Sequence, residues 1–308
     1  MKTTRFLTIL WLAIFYGAGA GAAQPGAKIS GKVAFESDRF GKRFGICVLE
    51  NGLIRNVYPQ GGANPRWSPD GKRLAIAEHR SEFTGIIVVN ASEQLLPYPL
   101  ELGPLMASWL PDSESLIFAS NGKALQKSET GNLYHLNLNT KEVIPLTDFD
   151  DGKEMKRVIL SRDGKKVILK RALSGTTDQA INSIEYLIGR LDGHRITGIE
   201  PLPVYPSDPS WFPNGKKIIY TSGYFKGEKN LKGYLLSYDF ETGEEALVYE
   251  NKEEFHAPVI SPDGNHILVS GWSGIYMMNL DGTEIREVVR PLDLDGFSSH
   301  DTSPDWAP

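Results

Sequence analysis

A short turn, Ser68-Pro69-Asp70-Gly71, recurs along this chain at a spacing that excludes most folds. Serine suits the first position of a type I turn, and Pro69 presets φ at the second. Gly71 supplies the left-handed residue that closes the turn into a bulged hairpin. Around it, Pro65-Arg66-Trp67 reads as one short strand and Leu74-Ala75-Ile76 as the next. Aligned on Trp67, related hairpins return at Trp109, Leu160, Trp211 and Ile260, in steps of 42, 51, 51 and 49 residues. One step is the length of a four-stranded propeller blade. Downstream of each hairpin lies a second one, clearest in Ile275-Tyr276-Met277-Met278-Asn279-Leu280-Asp281-Gly282-Thr283.

The two ends of the chain supply a further unit. Ser303-Pro304-Asp305-Trp306-Ala307-Pro308 matches Asn64-Pro65-Arg66-Trp67-Ser68-Pro69, then stops before the Asp-Gly. The remainder stands at the other end, where Gly31-Lys32-Val33-Ala34-Phe35 matches Gly71-Lys72-Arg73-Leu74-Ala75. The pattern therefore predicts an all-β, six-bladed β-propeller closed by pairing of the C-terminal strand with the N-terminal blade. Expected blades are 64–100, 107–147, 157–203, 208–250 and 257–290, with 303–308 plus 31–59 as the composite one. Residues 31–308 form one domain in this reading. No segment longer than a turn or two shows helical periodicity.

Residues 1–23 carry Lys2 and Arg5, an apolar run from Phe6 to Tyr16, and the small residues Gly17 to Ala23. That is a secretory signal with Ala20-x-Ala22 as its cleavage site. The apolar run is shorter than the ~20 residues of a membrane span, so no span is expected after cleavage. The protein is expected in the periplasm or secreted, as a monomer. Removing Lys2 and Arg5 takes the formal net charge from −5 to −7, which argues against nucleic acid as a partner. Cys47 is the single cysteine and lies in an apolar run, so it reads as a small buried side chain.

In a propeller the loops after the second strand share a face with the links between blades. Four long loops gather there: Ser37–Arg43, Asn121–Gly131, Arg171–Ser183 and Ser222–Gly233. Variable loops on a rigid scaffold commonly carry binding. The links bring Asp148, Asp150, Asp151, Glu154, Asp208, Glu250, Glu253, Glu254, Asp293, Asp295 and Asp301 around the central channel, against Lys153, Lys156 and Lys252. The outer loops carry Arg39, Lys42, Arg43, Lys123, Lys127, Arg171, Lys226, Lys229 and Lys232. An acidic mouth inside a basic rim follows, suited to a basic or amide-rich segment or to Ca²⁺. No other cofactor is expected. Binding residues at that mouth are Asp150, Asp151, Glu154, Asp208, Glu254, His256, His300 and Asp301.

The repeated Pro-x-Trp-Ser-Pro-Asp-Gly-Lys, the opening Phe35-Glu36-Ser37-Asp38-Arg39 and the Ile275–Gly282 stretch resemble the TolB-type β-propeller repeat over residues 31–308. The resemblance implies a periplasmic propeller that binds a lipoprotein or an unfolded peptide. Proteins of that type carry an α/β domain ahead of the propeller, whereas here the signal runs almost directly into the first propeller strand. The expected function is a non-catalytic binding module for a protein or peptide of the cell envelope.

Two enzymatic readings compete with it. No Gly-x-Ser-x-Gly elbow with downstream Asp and His is present, so peptidase chemistry of the hydrolase kind is excluded. A metal-dependent polysaccharide lyase acting on acidic sugars is the alternative, because His256 and His300 fall near the mouth, where Glu154, Asp208 and Asp301 could join them. Trp67, Trp109, Trp211 and Trp306 repeat at one blade position, which assigns them to the wedges between blades rather than to carbohydrate stacking.

Overall fold

A computed structural model describes residues 29–41, 43–80, 83–120, 130–173, 184–225, 227–250, 252, 254–271, 274–294 and 297–308. The expected signal, most of the loops Asn121–Gly131 and Arg171–Ser183, and Lys42, Lys226, Glu253 and Asp295 lie outside them.

The chain opens with three strands, β1 (Lys32–Ser37), β2 (Gly45–Glu50) and β3 (Leu53–Tyr58), whose inner edge is completed only at the far end of the chain. Blade one follows as β4 (Ala63–Trp67), β5 (Leu74–Arg80), β6 (Phe83–Val89) and β7 (Leu95–Pro99). Blade two is β8 (Pro104–Trp109), β9 (Ser115–Ser120), β10 (Asn132–Asn137) and β11 (Val143–Pro145). Blade three is β12 (Lys153–Leu160), β13 (Lys166–Leu173), β14 (Ile184–Asp192) and β15 (Arg195–Pro201). Blade four is β16 (Ser207–Trp211), β17 (Lys217–Phe225), β18 (Glu228–Asp239) and β19 (Glu245–Glu250). Blade five is β20 (His256–Ile260), β21 (His266–Ser270), β22 (Ile275–Asn279) and β23 (Arg286–Val289). A small hairpin, β24 (Asp293–Leu294) with β25 (Phe297–Ser298), leads to β26 (Asp301–Trp306).

Strand β26 pairs antiparallel with β1, through Val33↔Trp306, Ala34↔Asp305, Glu36↔Thr302 and Ser37↔Asp301. The ring is thus a six-bladed propeller sealed by the C-terminal strand.

Each inner hairpin has a local cause. Gly71 takes φ +67° and its N–H returns to the Ser68 carbonyl at 2.8 Å. The Ser68 hydroxyl donates to Asp70 at 2.5 Å and accepts from the Arg73 N–H at 2.9 Å, so side chains staple the turn. The same device recurs at Ser161-Asp163-Gly164 and Ser261-Asp263-Gly264. At the opposite end of the inner strands, Asn64, Asp208, Ala257 and Ser303 all take left-handed φ just before a proline, where the register shifts by a bulge.

Burial follows the blades. Six apolar clusters fill the six gaps between neighbouring sheets. Trp109 lies between blades one and two, Trp211 between three and four, and Trp306 between five and the composite blade six, each 7% exposed. Trp67 packs on the wedge between six and one. Leu160 and Ile260 take the same position in the remaining two wedges. Cys47 is buried, and burial pushes its thiol up to about 12, well away from reactive thiolate.

One expected loop is strand instead. Ser222–Gly233 continues the β17–β18 ladder to Tyr224↔Lys229 and Phe225↔Glu228, with Gly227 at φ +82° making a tight end. Phe225 and Tyr234, with ring centroids 5.8 Å apart, pack across the extension.

Candidate functional site

The six innermost strands, β4, β8, β12, β16, β20 and β26, surround a central channel of about 310 Å³. The residue between the first and last of each Pro-x-Trp triplet faces that channel: Arg66, Ser108, Ile159, Ser210, Val259 and Asp305. Closer to the links, the left-handed Asn64, Asp208, Ala257 and Ser303 line it, with Arg157 in blade three. Four of the ten left-handed non-glycine residues among the described ones thus stand around one lumen.

Charges in the channel are mixed. Arg157 Nη1 lies 2.5 Å from Asp208 Oδ1. The Asp305 carboxylate accepts the Trp67 N–H at 2.6 Å. Burial raises the Asp305 carboxyl to about 6, although Arg66, the Trp67 N–H and Arg162 pull it down. Glu36, behind the wall, accepts the Asn64 N–H at 2.8 Å. Burial raises its carboxyl as well, against the pull of Asn64, Ser303, Arg66 and Arg157.

Of the eight residues that the sequence marked, Asp208 and His256 line the channel and the other six do not. His256 Nε2 lies 3.2 Å from Thr302 Oγ1. Asp150 is exposed on the link before β12, and Glu254 is exposed on the link before β20. Asp151 sits 2.5 Å from Arg171 Nη2, and Lys156 Nζ sits 2.5 Å from Glu154 Oε2. Burial pushes the Asp151 carboxyl up, but the Arg171 hydrogen bond and the Lys153 N–H outweigh it and hold it below its usual range. His300 is half exposed, with its N–H on Asp38 at 2.7 Å and its ring Nδ1 3.4 Å from the same carboxylate. Asp301 is buried and paired with Arg39 at 2.6 Å.

Sorting into an acidic mouth and an outer basic rim is therefore not what these residues do. Arg39 and Arg171, assigned to the rim, are buried and reach inward to Asp301 and to Asp151 and Glu185. Guanidinium stems long enough to fold back find carboxylates nearby, and a buried guanidinium demands a partner. Sequence reasoning missed Arg66, Arg157, Arg162 and Asp305. The signal lay in the repeat itself: Arg66 and Asp305 share a position that other copies fill with Ser, Ile or Val, Arg162 stands where the others have Pro, and Arg157 aligns with Asn64, Met106, Asp208, Ala257 and Ser303.

No protein-family model matches the chain. Among solved structures, TolB from Acinetobacter baumannii matches with a TM-score of 0.67 at 16% identity, over 92% of this chain and 68% of that one. A putative TolB from Agrobacterium tumefaciens matches at 0.58 and 15% identity, over 88% and 92%. An oligogalacturonate lyase in complex with manganese matches at 0.56 and 16%, over 86% and 77%. The fold is that of a TolB-like six-bladed β-propeller. At these identities the likeness is one of fold.

The manganese of that lyase gives a test of the metal reading. Among the described residues no three His, Cys, Asp or Glu side chains gather to hold a metal ion. His256 and His300 turn instead to Thr302 and Asp38. The described residues do not fit such a site.

Proposed function

We propose that the chain is an exported, non-catalytic binding module that takes a protein or peptide partner of the cell envelope on its long-loop face and channel mouth. The observation that carries this reading is the channel itself: six inner strands converge on one lumen, lined toward the inter-blade links by Asn64, Asp208, His256, Ala257 and Ser303. Its likeness in fold to TolB propellers supports it. Export rests on Lys2, Arg5 and the apolar run behind them. Among the described residues no helix is long and apolar enough to cross a membrane.

On the link ahead of β12, outside the channel lining, Asp150 and Asp148 are exposed and pair with no described cation, so they are the carboxylates open to a basic segment or to Ca²⁺. Asp151, Glu154, Asp208 and Asp301 already face cations and contribute by shaping the surface, as do Glu254, His256 and His300. The test is crosslinking to a native envelope fraction with wild type and with Asp150→Lys plus Glu254→Lys. Loss of a defined crosslinked partner, with melting unchanged, supports the reading. A partner retained at equal yield removes the mouth from it.

The lyase reading has the fold likeness in its favour and lacks a three-ligand set among the described residues. Release of unsaturated uronides, followed by ultraviolet absorbance with and without manganese, would establish it against the binding reading.

A further inference from the structure

The two ends of the channel differ, and the end away from the links carries cations that the proposed partner face does not use. Pro69, Pro111, Pro213 and Pro262 occupy the second position of their turns, whereas the third copy has Arg162 there. Arg162 crosses the lumen from blade three, and its Nη1 donates to the Pro262 carbonyl of blade five at 3.3 Å. Arg66, one residue before Trp67 on β4, uses Nη1 on the carbonyl of its own neighbour Pro65 at 2.8 Å. Neither guanidinium forms an ion pair with a described residue. Trp67, which also lines the channel, holds a buried indole N–H with no acceptor among the described residues.

We propose that the short-loop half of the channel is a binding site for a small oxyanion, held between the guanidinium groups of Arg66 and Arg162. Guanidinium is a planar fork of donors that matches the oxygens of a carboxylate, sulfate or phosphate group. A lumen of about 310 Å³, open to solvent where Arg162 stands exposed, admits such an anion with a few waters. Donors already fixed by one contact each lose little freedom on taking a second.

The charges along the whole channel are Arg66 on β4, Arg157 on β12 with Arg162 just past its end, Asp208 on β16, His256 on β20 and Asp305 on β26, while Glu36 on β1 lies behind the wall. Asp208 is matched by Arg157. Asp305 and Glu36 are carboxyls that burial pushes toward neutrality, while the arginines keep their charge. Acidification toward pH 6 therefore makes the lumen more positive, and anion binding strengthens in that direction.

The test is calorimetric titration of the whole chain with sulfate and with succinate. Sulfate keeps its charge across the range, so it serves the pH comparison. Binding of either anion, weakened at least about tenfold in both R66Q and R162Q, is the expected result. The tighter of the two identifies the tetrahedral or the planar oxyanion as the ligand class. D305N, whose amide oxygen still accepts the Trp67 N–H, should bind sulfate more tightly than wild type at pH 8, and the gap between the two should narrow at pH 5.5. If wild type binds neither anion, or both arginine variants bind like wild type while melting like it, the proposal is overturned. The Asp150 and Glu254 variants lie at the other end and leave this binding unchanged, so failure here is separable from failure of the partner face.

Discussion

Blade one and blade six have the same four-strand plan, but only blade one is continuous in sequence. Its strands β4 to β7 are joined by short turns, and its stability is that of local hairpins packed on their neighbours. In blade six the inner strand arrives from the far end of the chain, and polar contacts hold both ends of the pair: the Trp306 indole where the turn would be, and the Arg39 and Asp38 clamps at the opposite end. Arg39, just past β1, reaches across 262 residues to Asp301 and also donates to the Arg290 carbonyl at 3.1 Å. Asp38 accepts the His300 N–H, and the Trp306 indole donates to the Ser30 carbonyl at 2.9 Å. The comparison teaches that a seam without covalent continuity needs contacts that fix register, since a slip by one residue would turn Trp306 out of its wedge.

The largest effect should come from removing the seam. Deleting residues 301–308 strips β1 of its partner and takes Trp306 and Ala307 from the core. A cost of about 5 kcal/mol or more is expected, on the order of a lost buried tryptophan plus a broken buried pair. Deleting β7, the outermost strand of blade one, should cost far less, because Leu95 to Pro99 is largely exposed. Calorimetry that found the two deletions equal would show that the seam is no special element.

Next comes the clamp itself. Asp301→Ala leaves the Arg39 guanidinium buried and unmatched, which costs about 3–5 kcal/mol by denaturant melt. Burial holds the Asp301 carboxyl above its usual range even with Arg39 beside it, so the pair is not a strong net stabiliser. The double variant Arg39→Met with Asp301→Leu should therefore recover most of the loss. Failure to recover would show that the pair contributes energy and not register alone.

A pH effect distinguishes the seam strand from β4 of blade one. The Asp305 carboxyl is raised to about 6 in the folded chain, whereas the same position of blade one holds Arg66. A raised carboxyl favours the folded state while protonated, below its unfolded value, and that contribution is lost as pH rises through 6. The difference is on the order of 3 kcal/mol between pH 4 and pH 7, by the free energy of one pH unit per proton. Asp305→Asn should be more stable than wild type at pH 7 and indistinguishable from it near pH 4. A wild type and variant with parallel pH profiles would place the carboxyl in water.

How much of this was legible in the sequence follows from what repeats. Ser68, Asp70 and Gly71 announce a turn because every requirement is local, and the Trp67 series announces wedges because it recurs at one phase. The closing strand was legible for the same reason: Pro304-Asp305-Trp306 is a repeat fragment without its turn. Side-chain pairing across blades was not. Arg39 and Arg171 look like loop surface in one dimension, and only the folded ring brings Asp301 and Asp151 within reach. The Ser222–Gly233 extension was hidden by its Gly and Lys residues, which read as a loop although Tyr224 to Lys229 form a tight two-stranded end. The channel cations were visible as departures from the consensus, a signal that a search for carboxylates and histidines passes over.

The smallest expected effect concerns how neighbouring blades are stitched. Trp109 donates its indole N–H to the Arg66 carbonyl at 2.8 Å, and Trp211 donates to the Ile159 carbonyl at 3.3 Å, each joining a blade to the one before it. Trp67, at the seam, has a buried indole N–H with no acceptor among the described residues. Trp109 and Trp211 are equally buried, so Trp→Phe at the two sites removes similar area and differs in the hydrogen bond lost. Trp109 and Trp67 each carry a cation over the ring, Arg73 at 5.4 Å and Lys32 at 5.8 Å, so that contribution nearly cancels between them. Destabilisation should rank Trp109→Phe above Trp211→Phe above Trp67→Phe, with about 1 kcal/mol between the first and the last. Three equal midpoints in a urea melt would mean that these side chains act by packing alone, and that blade one joins blade six no differently from the way it joins blade two.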